Sequence, residues 1–166
     1  MGHSKAVVPL VLALLCAGCA SLPGGLDRPF RKPGQKLADF PAAVSAQYGC
    51  DQKKLPWFKL ESLEIWPQRL TAGSELGHRM VYVLCTAGPS EVVTGKLETR
   101  ILHRGAAVFS DAQPNYDLRP GRWIVDVFVK VPAEAGDGLY SLSLDFKSPA
   151  VQFTQSEDFA VEAGPK

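Results

Sequence analysis

LRPGRWIVDVFVKVPAEAGDGLYSLSLDF, residues Leu118 to Phe146, decides the fold. Its last third alternates without a break: Tyr140, Leu142, Leu144 and Phe146 fall on one face, and Ser141, Ser143, Asp145 and Lys147 on the other. A period of two residues is that of a half-buried antiparallel strand. The middle of the stretch places Trp123, Val125, Val127, Val129 and Val131 on one face and Ile124, Asp126, Phe128 and Lys130 on the other, so one side of this strand must be core. Pro132 lacks the N–H that a ladder needs, and Gly136-Asp137-Gly138 tolerates the positive φ of a corner. Two strands joined by a corner identify a β fold and no chemistry.

Working outward, the same signals recur. Trp57 to Trp66 reads as an edge-like strand stopped by Pro67, with Gly73 in the turn that follows. His78 to Cys85 is apolar at nearly every position, as in a strand lying between layers. Lys96 to Arg104 puts Leu97, Thr99, Ile101 and His103 on one face, and Ala106 to Phe109 reads as a short strand. Ser110 to Gly121 is the longest turn-rich interval, and Val151 to Phe153 with Phe159 to Val161 supply a closing strand. Upstream, Asp39 is the expected N-cap of a short helix, Pro41 suits its first turn, Phe40, Val44 and Tyr48 form its apolar stripe, and Gly49 ends it.

About seven strands with regular turn signals make an all-β chain and a β-sandwich. Residues 57–163, with Pro67 and Gly73 between the first strands, Pro120-Gly121 before Trp123, and Gly138-Leu139-Tyr140 before the penultimate strand, resemble a bacterial immunoglobulin-like domain. The resemblance implies an immunoglobulin-like antiparallel sandwich, on which the helical segment of residues 37–56 packs.

The N-terminus supplies an address. After Lys5 the chain is apolar for about a dozen residues, short of the roughly 20 that cross a bilayer as a helix. Leu14-Leu15-Cys16-Ala17-Gly18-Cys19 resembles a bacterial lipoprotein signal, with Cys16 where such signals usually carry leucine. The resemblance implies a signal peptide over residues 1–18, acylation of Cys19, and a mature chain anchored to a membrane rather than spanning it. Ala20 and Ser21 follow where an aspartate would retain the protein at the inner membrane, so the outer membrane facing the periplasm is expected. Residues 19–36, with Pro23, Gly24, Gly25, Pro29, Pro33 and Gly34, read as a tether.

The 166-residue chain carries a formal charge of +1, and loss of Lys5 with the signal leaves basic and acidic residues equal. That balance points away from nucleic acid. The nucleophile elbow is absent, and His78 and His103 stand singly in strands as satisfied structural histidines. No catalytic residue, metal ligand or cofactor is implied, and the chain reads as a non-enzymatic module with an envelope protein as its partner. A carbohydrate- or peptidoglycan-binding module is the alternative, with Trp57 and Trp66 as an aromatic platform; a hydrolase with an unrecognised site is the third reading. For a protein partner, the loops Thr86 to Thr94 and Ser110 to Gly121 are expected at one end of the sandwich, with Tyr116, Asp117 and Arg119 as contacts. Cys50 and Cys85, an even pair in an exported chain, are expected to form a disulfide.

Overall fold

The computed structural model describes residues 31–162; the signal, Cys19 and the tether up to Phe30 lie outside the described residues. Along the chain come β1 (Gly34–Asp39), α1 (Pro41–Tyr48), a 3-10 turn (Cys50–Gln52), β2 (Trp57–Trp66), β3 (Arg69–Thr71), β4 (Glu75–Cys85), β5 (Val93–His103), β6 (Ala106–Leu118), β7 (Gly121–Lys130), β8 (Gly138–Lys147) and β9 (Gln152–Glu162). They form a four-stranded sheet, β1-β7-β4-β2, and a five-stranded sheet, β3-β9-β8-β5-β6. The chain is thus the all-β sandwich expected of an immunoglobulin-like domain. It has nine described strands instead of about seven, and β3 pairs with β9 in parallel while every other pair is antiparallel.

The alternation quoted above builds the core. Tyr140, Leu142, Leu144 and Phe146 of β8 are all buried, as are Val125 and Val129 of β7. They meet Leu97 and Ile101 of β5 and Leu76, Met80, Tyr82 and Leu84 of β4 between the two sheets. The odd-numbered residues of β4 point the other way: Val83 and Cys85 pack under Val44 and Cys50, with Tyr48 and Trp57 against them. β4 is apolar on both faces because α1 makes a third layer over part of its sheet.

Four expectations change. β6 is one thirteen-residue strand rather than a short strand and a loop. As the outermost strand of its sheet it pairs with β5 alone, so Pro114 and the turn-forming polar residues around it face solvent at no cost to a second ladder. β1 begins inside the segment read as tether, because its backbone pairs with β7 from Arg122 to Asp126. The N-cap of α1 is Phe40, with no side-chain cap; Asp39 instead lies 3.7 Å from Arg122. Phe40 is 71% exposed, so only Val44 and Tyr48 of the expected stripe dock. The expected closing strand is β9, continuous from Gln152 to Glu162.

Candidate functional site

Cys50 and Cys85 form a disulfide, with Cα atoms 5.7 Å apart. The bond ties the turn after α1 to the end of β4. Beside it Thr86, Ala87, Gly88 and Pro89 line a hollow with Pro41 of α1 and Pro120 of the β6–β7 turn. The two expected contact loops therefore do emerge at one end, but most of the second is strand.

The three expected contact residues do not converge. Tyr116 is 7% exposed and packs in the core, where its hydroxyl accepts a hydrogen bond from Gln35 Nε2 at 3.1 Å and burial pushes its pKa up to about 12. Asp117 accepts one from Thr94 Oγ1 at 2.6 Å. Arg119 is exposed, with its guanidinium carbon 5.6 Å from the centre of the Trp123 ring, while its backbone N–H donates to the Tyr82 hydroxyl at 3.0 Å. Alternation within a strand sends Tyr116 and Asp117 to opposite faces, as in any strand.

Trp57 and Trp66 occupy the two ends of β2, roughly 30 Å apart at about 3.3 Å per residue, so they do not form one platform. Lys53 Nζ lies 4.3 Å from the Trp57 ring centre, and the Arg31 guanidinium 4.4 Å from that of Trp66. Trp66 also stacks edge-on with Phe128 and lies against Gly77, where a Cβ would come within 2.3 Å of the indole. On the same outer face Tyr48 donates to Glu61, and Arg122 Nε donates to it at 2.7 Å. Burial pushes the Glu61 carboxyl up, but these hydrogen bonds outweigh it and hold the group below its ordinary value.

A second feature lies between the sheets. β1 covers β7 only as far as Asp126, which leaves Val127 to Lys130 without a neighbour on that side among the described residues. Facing that gap is β6, the edge of the other sheet. Between them opens a cavity of about 190 Å³, walled by Met80, Leu97, Val125, Val127, Val129 and Leu144. Phe109, Asp111 and Gln113 border it from β6, and Lys130 from β7.

His78 lines this cavity and is 3% exposed, and neither ring nitrogen has a hydrogen-bond partner among the described residues. It is structural in position but not satisfied, against expectation. Thr99 and Asp111 border the same space, yet His78 bonds to neither, so the linked hydrogen bonds of a nucleophile–base–acid triad are not formed. The sequence signal was available: His78 shares its parity along β4 with Met80, Tyr82 and Leu84, all inward-facing.

Burial lowers the His78 pKa from 6.5 to about 4, against an opposing pull from Asp126. The unfolded chain, at 6.5, therefore takes up the proton first. Stability is undiminished above pH 6.5 and falls as the pH drops from there toward 4, where the folded ring also protonates. Between pH 7.5 and 5.0 the expected loss from this residue is about 2 kcal/mol. Urea denaturation at the two pH values should show it in the wild type and not in His78→Phe. An equal pH dependence in both would show that the ring is not held neutral.

No known protein family and no curated protein matches the chain. Among solved structures it is similar to β-glucuronidase from Parabacteroides merdae, at 18% identity over 63% of this chain and 14% of that one, with a TM-score of 0.39. It is also similar to the sporulation control protein Spo0M of Bacillus subtilis, at 12% identity over 64% and 50%, with a TM-score of 0.44. The CARDB domain of a Pyrococcus furiosus protein, solved in complex with di-metal ions, gives 10% identity over 68% and 99%, with a TM-score of 0.44. The chain spans about a seventh of the first protein and half of the second. At these identities and TM-scores none of the three bears on what this chain does.

Proposed function

We propose that this chain is a non-enzymatic, lipid-anchored protein of the cell envelope, held at the outer membrane through Cys19, that binds a protein partner by adding the partner's strand to β6. The observation that carries the reading is the run Phe109 to Gln113, which the protections on the rest of that edge leave open. Natural edge strands are kept from pairing by shortness, charge, proline or bulges. β3 has three residues, β1 has six including Lys36, and β2 carries Lys59, Glu61 and Glu64 together with a register shift after Leu60. β6 has no lysine, its two charges, Asp111 and Asp117, are spread over thirteen residues, and Pro114 lies just beyond the regular part of its ladder. Its ladder with β5 is irregular near Ala107–Phe109 and Gln113–Tyr116 but regular from Phe109 to Gln113. Five residues is about the usual length of a strand. Main-chain hydrogen bonds along such a segment supply affinity, and the side chains that flank it supply selectivity.

Photo-crosslinking in cells tests both halves of the proposal. A benzophenone amino acid at Ala112, exposed on β6, should capture an envelope protein, whereas the same group at Lys59 on β2 should not. The captured complex should fractionate with membranes, and Cys19→Ser should release it. No capture at Ala112, equal capture at both sites, or capture only of a second copy of this chain would overturn strand addition to a partner; unchanged membrane association of Cys19→Ser would overturn the anchor.

A further inference from the structure

We propose that the cavity between β6 and β7 is a binding pocket for a small neutral phenol, whose ring fills the apolar space and whose hydroxyl hydrogen-bonds to His78. The shape comes first. An apolar cavity of about 150 Å³ holds a benzene ring. This one, at about 190 Å³, has room for such a ring with a substituent, and not for two joined sugars. Its walls are mostly apolar, from Met80, Leu97, Val125, Val127 and Leu144, with Thr99, Tyr116 and Phe128 also lining it, which favours a flat apolar body over a polar one.

The polar requirement comes from His78. A neutral imidazole offers one donor and one acceptor, and both nitrogens here are buried without a partner among the described residues. Each unsatisfied buried group costs free energy, so a ligand that brings one hydroxyl into the cavity recovers what the fold leaves unmade. A hydroxyl can serve either nitrogen, because it both donates and accepts. A carboxylate or phosphate would instead carry its charge into an aliphatic space opposite a neutral ring, which is costly. Lys130 is exposed at the border of the cavity. The pocket stands whether or not a strand adds to β6. The phenol has two sources, a free small molecule or a tyrosine side chain on an added strand, since Phe109, Asp111 and Gln113 of β6 border the same opening.

The test is a titration of the full chain with p-cresol and with toluene, which differ by the hydroxyl alone, read on the His78 ring resonances by NMR. The expected result is a saturable shift with p-cresol and binding about tenfold tighter than toluene, the ratio one hydrogen bond supplies. In His78→Phe the two probes should bind alike. Should that variant not fold, the wild-type comparison decides alone. Equal binding of both probes to the wild type, no saturable shift of His78, or a p-cresol preference that survives in folded His78→Phe would each overturn the pocket. An extended peptide containing one tyrosine separates the sources: binding at least tenfold tighter than p-cresol, lost on Tyr-to-Ala change in the peptide, assigns the site to a side chain, and weaker binding assigns it to a free molecule.

Discussion

Phe146→Ala should lower the unfolding free energy by roughly 3 to 5 kcal/mol, the range for removing a fully buried aromatic side chain. Phe146 has no exposed surface. Its ring stacks against Phe153 with centroids 5.7 Å apart and meets Tyr116 edge-on at 6.4 Å. Directly beside it on β5 is Gly95, where a Cβ would lie 2.6 Å from the ring and 2.6 Å from the Lys147 carbonyl oxygen. The ring occupies space that a side chain at residue 95 would otherwise claim, so truncation leaves a void beside a residue with no side chain to fill it. The reciprocal change, Gly95→Ala, drives a methyl into backbone and should weaken the β5–β8 pairing between Lys96 and His103. Urea unfolding followed by circular dichroism measures both. A loss under about 1 kcal/mol for Phe146→Ala would mean that the site collapses around the missing ring.

Replacing Cys50 and Cys85 together by alanine should cost roughly 3 to 4 kcal/mol, from the chain entropy regained when the loop between them opens. The two cysteines are 35 residues apart in sequence. The effect should also be local. α1 has eight residues, no side-chain cap at its N-terminus and no acidic residue in its first turn. A helix that short is marginal in water on its own. What holds it is Val44 in the cluster around Cys50, Val83 and Cys85, the Tyr48–Glu61 hydrogen bond, and the disulfide. Amide hydrogen exchange in the double variant should therefore rise over residues 41–52 well before it rises in β8 or β5. Uniform acceleration across the chain would show that the helix unfolds only with the sandwich.

What could be read from residue order and what could not divides along burial. β8 and β7 announce themselves because one face of each is core, and hydrophobic alternation is the imprint of that burial. β4 reads as a layer-embedded strand for the same reason, with α1 supplying the second cover. β6 and β1 leave no such imprint. Seven of the nine residues from Ser110 to Leu118 are exposed or only partly buried, and the pairing that makes them strand is to β5, remote from anything their own composition favours. β1 buries none of its residues fully and is held by backbone pairing to β7. The cysteine pair was readable from its even number and the expectation of export, but the sites were not. Tyr116, an aromatic among turn residues, looks like surface until β6 is known to be a strand, and then its position on the inward face follows. His78 was visible only as a lone histidine, because the cavity beside it exists through the shortness of β1 and the exposed run of β6, two features that no local pattern encodes.

The disulfide also decides how the domain would respond to a pull on its N-terminal end. Tension entering at Arg31 loads β1 first, along the strand and against its pairing with β7, and then α1. If both give way, residues 31–49 pay out, roughly 65 Å of extended chain. At Cys50 the force meets a covalent bond and passes into β4, which is paired on both sides, with β2 and with β7. The bond is thus a mechanical stop: the N-terminal segment acts as a short extensible leash, and the load passes into the four-stranded sheet behind it.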